Sequence, residues 1–181
     1  VLNAVLSVFD GMSCGQLALQ RAGIEYKEYY ASEIDKHAIS VTQHNFPNTK
    51  QLGSITELKT ENLPIIDLFI GGSPCQSFSS LGNGKGFDGK SGLFWEYVRV
   101  LKELRLKNPN IKFILENINM KKEWRDIISN ELGVEPIAFN SNLVSAQNRD
   151  RFYWTNINFI VPGDKNILFN DILENLPFRK I

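Results

Sequence analysis

Residues 4–15, Ala4-Val5-Leu6-Ser7-Val8-Phe9-Asp10-Gly11-Met12-Ser13-Cys14-Gly15, pass from an apolar run into a glycine-containing turn. The run Ala4–Phe9 has the length of a buried strand and ends in Asp-Gly, a turn signal. Cys14–Ala22 then carries a helical pattern that stops at Gly23. Strand, glycine turn and helix form one unit of a doubly wound α/β sheet, and the chain goes on alternating in the same way. Tyr26–Ser32 is rich in aromatic residues and reads as the second strand. Asp35 caps a helix running to about Asn45, ahead of Pro47. Ile65–Ile70 is a continuous apolar run, as expected of a strand covered on both faces. Phe94, Tyr97, Val98, Leu101 and Leu104 share one face of a helix. Ile111–Leu115 is another buried strand and Glu123–Leu132 a helix. Weaker strands follow at Ile137–Phe139 and Phe152–Thr155, and Ile167–Leu176 reads as a final helix. The expectation is one α/β domain over residues 1–181.

The composition agrees with that expectation. Of the 181 residues, 43% are hydrophobic and 22% charged, the balance of a globular chain. No apolar run is long enough for a membrane span. Two cysteines, Cys14 and Cys75, are too few for a disulfide framework or a structural zinc site, so a reducing, cytoplasmic setting is the default. Twenty basic residues balance twenty acidic ones. Phosphate neutralisation normally needs a basic excess, so neutrality counts against a large nucleic-acid surface within this segment.

Ligands of open α/β sheets bind beyond the carboxyl ends of the strands. The first strand delivers the Gly11 turn there. Glu33 closes the second strand about twenty residues later, where an acidic side chain commonly takes both ribose hydroxyls of a nucleotide-like cofactor. A solvated Glu capping the next helix fits the same position. The G-x-G-x-x-G spacing of a dinucleotide site is absent, which tilts the choice from NAD toward S-adenosyl-L-methionine, an adenosine without pyrophosphate.

The run Ile65–Ile70 leads to Gly71-Gly72-Ser73-Pro74-Cys75-Gln76-Ser77-Phe78-Ser79 on that same face, followed by a glycine-rich stretch to Gly92. A lone cysteine is more often a small buried hydrophobe than a nucleophile; a strand-end Pro-Cys ahead of a long glycine-rich loop suits a displayed thiol. This segment resembles the Pro-Cys motif of the DNA (cytosine-5) methyltransferases. Glu116-Asn117-Ile118 resembles that family's Glu-Asn-Val motif, and Gln147-Asn148-Arg149-Asp150-Arg151 its Gln-x-Arg-x-Arg motif. With Phe9-Asp10-Gly11 and Glu33, the resemblance runs from Leu2 to about Thr155.

The resemblance implies a Rossmann-like, mostly parallel sheet of the S-adenosylmethionine-dependent methyltransferase type, acting on cytosine in double-stranded DNA. Cys75 is then the nucleophile that adds to C6 of a flipped cytosine, which places electron density on C5. An ordinary thiol, with a pKa of about 8.5, is mostly protonated at neutral pH, so the site must favour the thiolate. Glu116 grips the N3 and exocyclic-amine edge of the base. Arg149 and Arg151, which alternate and so share a face of an extended segment, contact the base or its phosphate. The cofactor, leaving as S-adenosyl-L-homocysteine, falls to Phe9, Gly11, Ser13, Cys14, Glu33, Ile34, Ser54, Ile55, Gly72, Pro74 and Leu93. The Ser79–Gly92 stretch is the natural lid, with Lys85 and Lys90 available to phosphates.

The sequence departs from the family pattern in three places. Ser54-Ile55 stands where an Asp-Ile-like pair commonly holds the adenine. Ser13-Cys14 replaces a Gly-Gly pair, and the Phe-Asp-Gly start is closer to that of the eukaryotic de novo enzymes. The residues after Thr155 leave no room for the family's target-recognition domain and returning helix, so a missing C-terminal region or a second polypeptide is expected to supply recognition. Bacterial or phage origin implies the cytoplasm, eukaryotic origin the nucleus. The alternatives are a transfer-RNA cytosine-5 methyltransferase and a non-catalytic, cofactor-binding partner.

Overall fold

The computed structural model describes residues 1–74 and 92–173. Strands β1 (Leu2–Val8), β2 (Tyr26–Ser32), β3 (Lys50–Gln51), β4 (Leu68–Gly71), β5 (Lys112–Ile118), β6 (Ile137–Asn140) and β7 (Asp150–Thr155) form one seven-stranded sheet in the order β3-β2-β1-β4-β5-β7-β6. The pairs among β1 to β5 are parallel, whereas β7 runs antiparallel to both β5 and β6. Helices α1 (Cys14–Arg21), α2 (Lys36–Asn45), α3 (Leu93–Lys107) and α4 (Lys122–Leu132) make the connections.

The apolar run of β1 is buried from Ala4 to Val8 because the strand is covered on both faces. Ala4, Leu6 and Val8 point into a core with Tyr97 and Leu101 of α3 and Ile128 of α4. Val5 points the other way, toward Leu19 of α1, Tyr29 and Leu68. This alternation on a continuous hydrophobic strand is what a doubly wound sheet requires. Helix α2 starts where the sequence places it: the Asp35 carboxylate accepts from the amides of His37 (2.8 Å) and Ala38 (3.1 Å).

Two expectations are corrected. The fourth strand begins at Leu68, not Ile65. Pro64 has no amide to give a ladder, and Ile65 is 57% exposed while only Ile66 turns inward. The final helix Ile167–Leu176 is not formed over its described part, which holds a single 3₁₀ turn at Phe169–Ile172. Leu168, Phe169, Ile172 and Leu173 are all exposed. A short helix with no surface on which to bury its apolar face is not stable alone. Residues 174–176 of that segment lie outside the described residues. No helix among the described residues is long and apolar enough to cross a membrane.

Candidate active site

After β1 the chain moves outward through β2 and β3, then returns to place β4 on the other side of β1. The β1/β4 boundary is therefore the switch point, where a crevice opens beyond the carboxyl ends of the strands. β1 leads there into Phe9-Asp10-Gly11, β2 into Glu33, and β4 into Gly72-Ser73-Pro74. Because β7 runs the opposite way, its beginning falls at the same edge, with Arg151 opposite Ile118 of β5. The topology alone collects these segments, far apart in the chain, on one edge.

An open cavity of about 370 Å³ lies in this crevice, lined by Phe9, Ser32, Glu33, Ile34, Gly53, Ser54, Ile55, Pro74 and Leu93. Seven of the expected cofactor residues line it. Ser32 and Gly53 join them, signalled in the sequence only by their places beside Glu33 and Ser54. Its walls are mostly apolar, and Ile34 is 73% exposed, an aliphatic surface offered to the opening. Gly11, Ser13, Cys14 and Gly72 are not among the lining residues. Cys14 is exposed at the start of α1. Gly72 sits toward the neighbouring site, where a Cβ on it would stand 3.2 Å from Glu116 Oε2.

Glu33 is oriented by three backbone donors. Its Oε2 accepts from the Gly11 amide at 2.8 Å, and its Oε1 accepts from Ile34 (2.7 Å) and Asp35 (2.9 Å). Oε2 keeps acceptor capacity beyond its one bond. The turn that supplies the Gly11 amide is wound through the left-handed region, with φ of 56° at Phe9, 58° at Gly11 and 59° at Ser13. Two non-glycine residues in that region store backbone strain, which a buried polar network offsets. Asp10 accepts from the Ser13 hydroxyl and from the Tyr29 hydroxyl. Gln16 donates to Ser13 Oγ (3.0 Å) and Thr49 Oγ1 (2.8 Å), and accepts from Tyr26 at 2.7 Å. Burial raises the Asp10 carboxyl above its ordinary value of 3.8, against the lowering effect of the Ser13, Ser7 and Tyr29 hydroxyls.

The second group of residues stands at the end of β5. Glu116 Oε1 lies 2.7 Å from Arg151 Nε and 3.5 Å from Arg149 Nη2. The Arg151 Nε–H is buried and is not aligned on that oxygen, so the contact is an ion pair without a formed hydrogen bond. Burial, and then the Glu116 carboxylate paired across the ladder, pushes the Tyr153 phenol above 10.0. Asn117 is buried and donates to Ser73 Oγ (3.0 Å) and the Ser73 carbonyl (3.4 Å). This ties the segment before Cys75 to β5. Cys75 itself, and the expected lid up to Ser91 with Lys85 and Lys90, lie outside the described residues. A carboxylate flanked by two guanidinium groups, next to the approach to a cysteine and beside this cavity, can hold a polar heterocycle.

The strand order, with its antiparallel β7, is that of a Rossmann-like, mostly parallel sheet, the fold of the S-adenosylmethionine-dependent methyltransferases. A structure of the same fold is that of S. pombe Dnmt2 methyltransferase (TM-score 0.66, 20% identity), matched over 88% of this chain and 53% of that one. The model of the C-5 cytosine-specific DNA methylase family matches residues 4–159, and the chain belongs to that family. Relatives include the orphan methyltransferase M.SPRI of Bacillus phage SPR, 40% identical over 63% of this chain, and the type II methyltransferase M.HhaI of Haemophilus parahaemolyticus, 29% identical over 93%. The chain spans 26% of the first and 56% of the second.

Proposed function

We propose that this chain carries the cofactor cavity and nucleophile segment of a methyltransferase acting on C5 of cytosine in double-stranded DNA. The observation that supports this most is the meeting of Glu116, Arg149 and Arg151 at the end of β5, beside the Ser73-Pro74 approach to Cys75. A cofactor-binding scaffold needs none of these groups. The cavity would suit S-adenosyl-L-methionine: Glu33, braced by three amides and with acceptor capacity to spare, would take the ribose hydroxyls, and Ile34, Ile55 and Leu93 would hold the adenine. Bound there, the cofactor supplies the methyl group.

The chain's own residues do the rest. A flipped cytosine presents its N3 and exocyclic amine to Glu116, whose orientation the two arginines set. Cys75 Sγ adds to C6 as a thiolate while the Glu116 carboxyl, carrying a proton for this step, donates it to N3 and so neutralises the charge that develops on the ring. After methylation, loss of the C5 proton to water or hydroxide lets Cys75 depart. Target recognition rests with a further region or a second polypeptide.

The test is covalent trapping on duplex DNA containing 5-fluorocytosine, with S-adenosyl-L-methionine and any recognition region supplied. An adduct that disappears in Cys75→Ala is expected. No adduct under those conditions defeats the catalytic reading, and adducts on transfer RNA alone redirect it to that substrate.

A further inference from the structure

The cavity wall contributed by Ser54 and Ile55 belongs to a segment with little regular structure. Between β3 and β4 it makes only two 3₁₀ turns, Ile55–Glu57 and Thr60–Asn62. Backbone carbonyls in such a segment need partners from elsewhere, and α3 provides them from one face. Glu96, Arg99, Glu103 and Lys107 follow one another at helical spacing. Lys107 Nζ donates to the carbonyls of Thr60 (2.7 Å), Glu61 (3.1 Å) and Leu63 (3.0 Å), and Glu103 accepts from the Thr60 hydroxyl at 2.6 Å. Arg99 alone of this group reaches the cavity wall: Nη2 donates to the Ile55 carbonyl at 2.9 Å and Nη1 to that of Leu58 at 3.4 Å.

We infer that Arg99 is a positioning residue for cofactor binding, holding Ile55 at the cavity from the helix whose first residue, Leu93, lines the same cavity. The inference rests on the cofactor reading proposed above. Its geometry depends on the guanidinium fork. Nε is held by Glu96 (2.8 Å) and Nη1 also by Glu103 (2.9 Å), which fixes the plane and aims the remaining N–H groups at the carbonyls. Ile55 is 3% exposed, so its side chain cannot adjust independently of its backbone. A shift of the Ile55 carbonyl is a shift of the wall.

The test is calorimetric titration of the 181-residue chain with S-adenosyl-L-homocysteine and with 5′-methylthioadenosine, which keeps the adenosine and lacks the amino acid. Arg99→Met is expected to weaken both by about tenfold, on the scale of one charge-assisted hydrogen bond. Arg99→Lys, which keeps the charge and one donor direction, recovers part of the loss and carries the test should Arg99→Met not fold. Lys107→Met, which strips the far end of the same segment, is expected to lower the melting temperature while affinity stays within about twofold. Unchanged affinity in both Arg99 variants overturns the inference, as does an equal loss in Lys107→Met. Failure of the unaltered chain to bind either probe removes the cofactor reading itself and this inference with it.

Discussion

The buried side-chain amide of Asn117 donates to Ser73 Oγ at 3.0 Å, joining the end of β5 to the segment that enters Pro74-Cys75. Asn117 also accepts from the Ile118 amide at 2.8 Å, so its own rotamer is fixed. One side chain thus relates the Glu116 strand to the cysteine segment. Asn117→Ala leaves the buried Ser73 hydroxyl without this donor. It should lower stability by about 1–3 kcal/mol in urea denaturation. Misplacing the nucleophile by an ångström should slow covalent trapping by about 100-fold. A variant that loses stability yet traps DNA at the original rate shows the tie to be structural only.

Glu33 is expected to govern cofactor affinity through both its charge and its orientation. In Glu33→Gln one of the two carboxylate positions becomes an amide nitrogen, which cannot accept from Gly11 or from the Ile34 and Asp35 amides. The affinity for S-adenosyl-L-homocysteine should fall by about 10- to 100-fold, the range of a lost charge-assisted hydrogen bond. Titration calorimetry reads this directly, and wild-type affinity would exclude Glu33 from the site.

Most of this architecture was legible in the sequence because it rests on local signals. The apolar run of β1 and the Asp35 cap of α2 announce themselves through hydrophobic pattern and side-chain chemistry. Glu116, Arg149 and Arg151 were legible as motif positions, and the antiparallel β7 that brings the arginines to Glu116 is a matter of tertiary pairing. Ile167–Leu176 has apolar spacing that suits a helix, yet its described part, residues 167–173, finds no covering partner among the described residues and forms only a 3₁₀ turn. Arg99 gave no signal, since its role depends on which carbonyls a distant segment leaves unpaired. The strain at Phe9 and Ser13 was equally silent, because neither residue type favours a positive φ.

Asp10 should impose a pH dependence on stability. Its folded carboxyl is raised above 3.8, chiefly by burial and in part by Glu33. The folded state therefore holds the proton more tightly than the unfolded chain does. Asp10's contribution is fully present below pH 3.8 and declines as pH rises through the raised value. Measured against Asp10→Asn, which cannot titrate, the native chain should lose relative stability from acid toward neutral pH. Urea midpoints that run parallel for the two proteins across that interval contradict the assignment.

Asn140 organises the connection that presents Arg149. Its Nδ2 donates to Asn148 Oδ1 (2.7 Å) and Asp150 Oδ1 (2.6 Å), and its Oδ1 accepts from the amides of Asn142 and Arg149, each at 3.0 Å. Asn140→Asp keeps both acceptor bonds but turns a second carboxylate oxygen toward Asp150. Asn148 can rotate its amide to donate, whereas Asp150 has nothing to donate when ionised. The repulsion should displace Arg149 and slow covalent trapping by about fivefold, the scale of a partly exposed like-charge contact. Adding Asp150→Asn restores a donor opposite the new carboxylate, so the double variant should recover most of the rate. A double variant as slow as the single one would show that the loss comes from the Asn140 position itself, and the exchange of hydrogen bonds with Asp150 would then have no part in placing Arg149.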